Sequence, residues 1–350
     1  MQNSYRHLLI AASVTILFSA CTKDATSPSA GSGGTGETIA PPPAFGFYVI
    51  GYFPSYRDPA TVPDVKFKMC NVINYAFATI NTTGGLTINA PSVLSAVIAK
   101  AKANNAKVMI SINGAHTDFR NMSSTAAGRN LFIKTIMNVI RQYQLNGADM
   151  DWEFPRTDDG TDLTYTALMK ELSDSCHAGS RYYLSAAVTA GKYSGAIRDA
   201  IKSELFTYLD WFNIMAYDDF STTVSYRHHS DYTLAITSLN YWLGRGMPSA
   251  KAVLGIPAYG RPSGITQTGT VLTYSGILGQ GGSPQSDSAV VTAAGFNNYK
   301  IYYNGQPTAK KKAMLARSTA NGVMVWEKGQ DTHDNTSLLR AICDTIGRAY

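Results

Sequence analysis

The sequence predicts a (β/α)8 TIM barrel with a small β-rich insertion after strand 7. Eight short runs rich in apolar and β-branched residues recur between positions 47 and 327. Stretches of helical period or long connections separate most of them, which is the pattern of parallel strands joined by crossovers. The runs are also apolar on both alternating faces, as strands covered on each side must be. A doubly wound open sheet is the competing arrangement, but no Gly-rich phosphate loop follows the first run to support it.

In chain order the strand candidates begin with FYVIGYF (47–53), NVINYAFATI (71–80), KVMISI (107–112) and GADMDWEF (147–154). YYLSAAV (182–188), WFNIMAY (211–217), AVLGIPAY (252–259) and GVMVWE (322–327) complete the eight. Helical period runs through 91–105, 126–144, 165–176 and 308–319, and a last helix is expected over 335–349 with Asp334, Asn335 and Thr336 as cap candidates. The insertion, about 262–306, is rich in Gly, Ser and Thr and holds strand-like TVLTYSGIL and YKIYYNG. It is too small to read as a second domain.

The chain ahead of the barrel has a different character. Arg6 precedes an apolar stretch from Leu8 to Phe18, and Ser19-Ala20 lead into Cys21. That is an export signal, too short to span a membrane. The ending LFSAC resembles a bacterial lipoprotein signal, with Cys21 as the lipidated N-terminus; a plain cleaved signal of a secreted protein is the alternative. Residues 22–44 are rich in Ser, Gly, Thr and Pro and read as a flexible tether, so the catalytic barrel is expected over 45–350. The expected location is outside the cytoplasm, on the outer membrane or cell surface, with the lipid as the membrane contact.

Composition narrows the function. The chain is 45% hydrophobic and 15% charged, with a formal net charge of +6, which describes a globular protein. Its longest basic run, Lys310-Lys311-Lys312, reads as a solvated helix face, and no nucleic-acid footprint emerges. Cys70, Cys176 and Cys343 are too scattered for a disulfide framework or a zinc site; buried thiols are expected, with a Cys176–Cys343 bridge as the alternative. A monomer is expected.

The chemistry concentrates in GADMDWEFP (147–155). Alternate strand residues face the same way, about 6.5–7 Å apart, so Asp149, Asp151 and Glu153 form one row and Ala148, Met150, Trp152 and Phe154 the other. An edge strand with its acids in water would show the same alternation, but the neighbouring runs are apolar on both faces. In a barrel the acid row points inward, with Glu153 nearest the C-terminal mouth where barrel active sites lie. Unpaired carboxylates there are costly, so they must share protons or hydrogen bonds, and raised pKa values follow. A raised pKa suits a general acid working near neutrality. Divalent metal binding is the other chemistry of Asp-x-Asp-x-Glu, but no paired His or further acid cluster accompanies it. His228-His229 reads as a surface pair beyond the sixth strand. No metal or other cofactor is expected.

NGADMDWEFP resembles the catalytic strand of glycoside hydrolase family 18, whose pattern is Asp-x-x-Asp-x-Asp-x-Glu. VIGYFPSY, INYAFATI, VMISING, FNIMAYDDF, LGIPAYGR and GVMVWE resemble the family's other strands, in order and over nearly the whole barrel. Asn146 stands where the family has its first Asp, and Asn113 where it has Gly. The first substitution implies altered proton sharing, and the second a narrower space beside the acid row. The family includes chitinases and endo-β-N-acetylglucosaminidases, and the resemblance implies a chitinase acting on chitin or other N-acetylglucosamine-containing oligosaccharides. The alternatives are the endoglycosidase and a non-catalytic sugar-capturing lipoprotein.

The family is among the substrate-assisted exceptions to two-carboxylate glycoside hydrolysis. The resemblance therefore implies Glu153 as general acid/base, Asp151 as partner of the sugar's acetamido N–H, Asp149 as tuner of Asp151, and Tyr217 as donor to the acetamido group. It implies Trp326 as the apolar floor of the sugar site, Asp218 as a contact to sugar hydroxyls, and Met215, Tyr52, Tyr259 and Arg261 as lining residues.

Overall fold

The computed structural model describes residues 39–220, 227–262 and 270–350. Residues 1–38 lie outside them, so the expected export signal, Cys21 and most of the expected tether do too. The fold begins earlier than residue 45: Ile39 bridges to Ala178, and the Pro43 carbonyl accepts the Tyr183 hydroxyl at 2.7 Å.

Eight parallel strands close into a barrel. They are Tyr48–Pro54, Val72–Ile80, Lys107–Asn113, Gly147–Met150, Tyr183–Thr189, Trp211–Met215, Ala252–Pro257 and Gly322–Trp326. Each pairs with its sequence neighbour, and the first pairs with both the second and the eighth. A short antiparallel strand, Leu86–Ile88, folds back on the second.

Two apolar cores follow from the alternation. Outward residues such as Val49, Phe53, Ile110 and Leu254 meet the helices in one continuous cluster. Inward residues Tyr48, Ile50, Tyr52, Met109, Trp211 and Met324 form a second, inside the barrel. At its lower end Phe45, Tyr48, Tyr183 and Trp211 pack ring on ring, Phe45–Tyr183 at 4.6 Å and Tyr48–Trp211 at 4.8 Å. This plug fills the lower end of the lumen with apolar rings.

The crossover helices match the periodic stretches with shifted ends: Pro91–Ala103, Ala126–Gln142, Thr161–His177 and Gln306–Thr319. The last helix is shorter than expected, Leu338–Ile346. Its N-cap is Ser337, whose hydroxyl accepts the Arg340 N–H, and Gly347 ends it in the left-handed region. Asp334 instead accepts from Thr336, so the Asp-Asn-Thr segment forms a turn ahead of the helix.

The insertion is a four-stranded antiparallel sheet that starts at Tyr259, before residue 262. Its strands are Tyr259–Pro262, Leu272–Thr273, Ser288–Ala293 and Phe296–Tyr302. Most of TVLTYSGIL is not strand but the helix Tyr274–Gly279, because the Thr273 side chain accepts the Gly276 N–H and caps it.

Two polar expectations fail for one reason, the packing of Gln306–Thr319 against the loop after the sixth strand. Lys312 is fully buried, not on a solvated face; its ammonium donates to the Ser230 carbonyl and hydroxyl at 2.7 and 2.8 Å. Burial pushes it down to about 7. His229, expected at the surface, is also fully buried. Cys70, Cys176 and Cys343 are buried free thiols, so Cys176 and Cys343 are not bridged.

Candidate active site

The fourth barrel strand ends at Met150, opposite Ile112 of the third. The ladder continues for one more bond, Asp151 N–H to the Ile112 carbonyl at 2.9 Å, and the chain then leaves the sheet. Asp149 is therefore inside the barrel wall, Asp151 at its rim and Glu153 at the mouth. Their exposure follows that order: Asp149 fully buried, Asp151 buried, Glu153 exposed. Trp152 points outward into the helix layer, as expected. Phe154 does not join that apolar row; past the sheet, nothing enforces alternation, and it lines a hollow together with Glu153.

The three carboxyls have different partners. Asp149 accepts four hydrogen bonds, from Tyr52 (2.7 Å) and Ser111 (2.8 Å) at one oxygen and from Ser185 (2.5 Å) and Asn213 (3.0 Å) at the other. All four groups donate, which fits an ionised acceptor-only carboxylate. Burial raises its pKa, and those four bonds pull it back. Asp151 has one oxygen buried without any partner. Burial first, then the charges of Glu153 and Asp149, push its pKa well above the usual carboxylate range. Glu153, although exposed to the mouth, is crowded by protein that displaces solvent, and its pKa is raised by that loss and by Asp218.

A hollow of about 190 Å³ lies above Asp151, bounded by Tyr52, Glu153, Tyr217 and Trp326, with Met215 and Asp218 also in its wall. A second of about 540 Å³ adjoins it and shares Glu153, Met215, Tyr217 and Asp218. Its size is that of an ordinary small-molecule pocket, roughly 300–1,000 Å³. Glu153 thus stands between two connected spaces. The Trp326 ring stacks against Phe77 at 5.8 Å and meets the Tyr52 ring edge-on at 5.3 Å. Tyr217 sits over Gly255, where a Cβ would lie 2.9 Å from the Tyr217 ring and 2.5 Å from the Ile214 carbonyl.

The outer candidates are arranged differently from the expectation. The Tyr52 hydroxyl is turned down onto Asp149 and accepts from Asn213 at 3.0 Å, so only its ring borders the hollow. Asp218 is held by the protein itself: Tyr259 donates to it at 2.6 Å and Arg261 at 2.5 Å, while its own N–H donates to His229 Nδ1 at 3.3 Å. Burial alone would raise its carboxyl; the His229 ring, Arg261 and Tyr259 outweigh that and hold it far below the usual range. Tyr259 and Arg261 reach the site through Asp218.

Asn146 lies at the base of the strand, where its side-chain carbonyl accepts the Val108 N–H at 2.9 Å. A neutral amide serves there, and no bond connects it to Asp149, so it has no direct part in proton sharing. Asn113 takes the Thr79 hydroxyl at 3.2 Å and stays out of both hollows. Sequence reasoning missed Ser111, Ser185 and Asn213, although each is a polar residue flanked on both sides by apolar ones within its strand. Among the described residues no group of three His, Cys, Asp or Glu side chains could hold a metal ion.

A model of the glycosyl hydrolases family 18 matches residues 48–331. Among curated proteins the chain is similar to probable chitinase 10 of Drosophila melanogaster, 24% identical over 336 residues, covering 79% of this chain and 14% of that protein. It is 27% identical over 337 residues to the class V chitinase of Arabidopsis thaliana, covering 83% and 87%. The chain spans well under half the length of the Drosophila relative and most of the length of the Arabidopsis one. Two solved structures share the fold. The family 18 chitinase ChiB from the chitin utilization locus of Flavobacterium johnsoniae superposes with a TM-score of 0.70 at 26% identity, covering 86% and 94%. A class V chitinase mutant from Cycas revoluta in complex with (GlcNAc)3 gives 0.74 at 23% identity, covering 86% and 100%.

Proposed function

The chain belongs to the glycosyl hydrolases family 18, matched over residues 48–331, and we propose that it hydrolyses β-1,4 bonds between N-acetylglucosamine units of chitin or chitooligosaccharides, with Glu153 as general acid/base. One observation carries this reading: a buried Asp151 oxygen without a partner, beside a Glu153 of raised pKa, at the junction of two hollows.

Glu153 gives its proton to the leaving glycosidic oxygen as that bond breaks. The substrate's own acetamido oxygen attacks the anomeric carbon and forms a cyclic oxazolinium ion. Asp151 receives the acetamido N–H on its unpartnered oxygen and stabilises the positive ring. Water then attacks the anomeric carbon, opens the ring and loses a proton to Glu153, which restores the acid. Asp149, saturated with donors, keeps its charge and makes Asp151 reluctant to ionise without one. Tyr217 donates toward the acetamido group, and Trp326 gives the sugar an apolar face. Asp218, clamped by Tyr259 and Arg261, supplies fixed negative charge that keeps Glu153 protonated. Met215 packs at the wall.

Glu153→Gln is expected to lower turnover of chitooligosaccharides by at least a thousandfold while leaving binding measurable by calorimetry, on the scale of losing the proton donor. Unchanged turnover would remove Glu153 from the acid role. Cleavage of N-glycoproteins with none of chitin oligomers would move the substrate to N-glycans, and binding by the wild type without product would make the chain a sugar receptor.

A further inference from the structure

Trp152 lies between the two acids in sequence and on the opposite side of the chain from them. Its ring is buried in the helix layer, stacked on Phe119 at 4.8 Å and 11° and met edge-on by Tyr165 at 5.6 Å. The indole N–H donates to His116 Nδ1 at 3.1 Å. His116 Nε2 is in turn 2.7 Å from Asp159. Asp159 is itself fixed by Thr161, whose N–H and hydroxyl reach its other oxygen at 3.0 and 2.6 Å.

These contacts select the imidazole's tautomer. An indole N–H only donates, so His116 Nδ1 accepts and carries no proton. The ring proton is on Nε2 and is given to the Asp159 carboxylate, an orientation of the kind that fixes a histidine tautomer. His116 and Phe119 stand three residues apart on the helix His116–Ser123, so they share a face. One covers the indole ring and the other takes its N–H. The fourth strand ends at Met150, so no ladder partner holds residues 152–153. Asp151 keeps one last ladder bond to Ile112; beyond it, the outward anchor of Trp152 is what aims Glu153 inward.

We propose that His116, backed by Asp159, is a positioning residue for catalysis: it locks the Trp152 ring and thereby fixes where Glu153 faces the hollow. The inference rests on the hydrolase reading for its rate measurement but not for its spectroscopic one. Misplacement of reacting groups by about 1 Å can cost on the order of a hundredfold. Loss of this anchor is expected to show in kcat with little change in KM.

The experiment compares wild type, His116→Ala and His116→Gln of the full chain, with chitotetraose as substrate. Gln can accept from Trp152 through its carbonyl and donate to Asp159 through its amide. His116→Ala is expected to lower kcat about ten- to a hundredfold with KM within twofold, and His116→Gln to recover most of it. The Trp152 indole N–H resonance, identified by its loss in Trp152→Phe, should shift upfield in the Ala variant and stay near its wild-type place in the Gln variant. An unchanged kcat in folded His116→Ala would overturn the proposal, as would an indole resonance unmoved by that substitution. Equal kcat loss in both variants, with the resonance kept in Gln, would also overturn it. A folded wild type that cleaves no chitotetraose, with the indole resonance still moved in His116→Ala, would instead defeat the hydrolase reading, leaving the indole result to stand alone.

Discussion

Asp149 and Asp151 are two residues apart on one face, yet the protein treats them in opposite ways. Four donors surround Asp149, and none reaches the buried oxygen of Asp151. A carboxyl whose folded pKa is raised stabilises the fold below its unfolded value. That contribution disappears as pH rises through the folded value. For Asp151 the window opens near the ordinary Asp value of about 4 and extends upward. Asp151→Asn is therefore expected to raise the melting temperature at pH 7 and to lose that advantage toward pH 4, while abolishing turnover. Thermal scans across this pH range check it, and a variant less stable than wild type at pH 7 would contradict the burial cost assigned to this acid.

Asp149 and Asp151 were legible because alternation is a property of the strand backbone, which runs to Met150 with one further ladder bond at Asp151. The four donors to Asp149 were not, because they come from the first, third, fifth and sixth strands, and closure alone brings those together. Asp218 shows the same limit. The tripeptide Ala-Tyr-Asp carries no sign that Tyr259 and Arg261, more than forty residues on, will clamp the carboxylate.

Among the elements, the seventh strand shows how a small residue places a large one. Gly255 makes room for Tyr217 beside the wall, since a Cβ there would approach Ile214, Met324 and Tyr217 within 2.5–2.9 Å. Gly255→Ala is expected to cost about 1–3 kcal/mol of stability through overpacking, and to lower kcat by displacing the Tyr217 ring. Denaturant titration and turnover test both parts; an unaltered kcat would separate Tyr217 from that contact. Elements were read well where period and length agreed, as in the eight strands and the helix Ala126–Gln142. They were misread where a cap decided the outcome. In TVLTYSGIL β-branched residues suggest a strand, yet Thr273 caps the helix that follows. At the C-terminus Ser337, not the Asp-Asn-Thr segment, starts the last helix.

At the scale of the whole molecule, the segments that follow the first and the last barrel strands are tied by buried charge. Lys66, after the first strand, donates to Asp331, after the eighth, at 2.5 Å, with both side chains at most 2% exposed. The same Asp331 accepts the N–H groups of Leu338 and Leu339 at 2.8 and 3.1 Å, so it also supports the start of the last helix. Lys328 adds a bond to the Lys66 carbonyl at 2.5 Å and fills the space left by Gly51. Removing one partner of such a pair leaves an uncompensated buried charge, at about 3–5 kcal/mol. Asp331→Ala is expected to lose about that much, whereas Asp158→Ala, in an exposed pair with Arg156, should leave stability nearly unchanged. Equal losses, measured by denaturant unfolding, would refute the closure role.

By itself the sequence determined the eight strands, most of the long crossover helices, the inward acid row and the family. These depend on periodicity and local composition, which a chain carries without its partners. The tertiary structure decided the rest: which acid is saturated and which is bare, that Lys312 and His229 are buried, and that His116 reaches the indole between the acids. Each is a contact between segments far apart in the chain. Its energy depends on desolvation and on distances of about 3 Å, and barrel closure creates both at once.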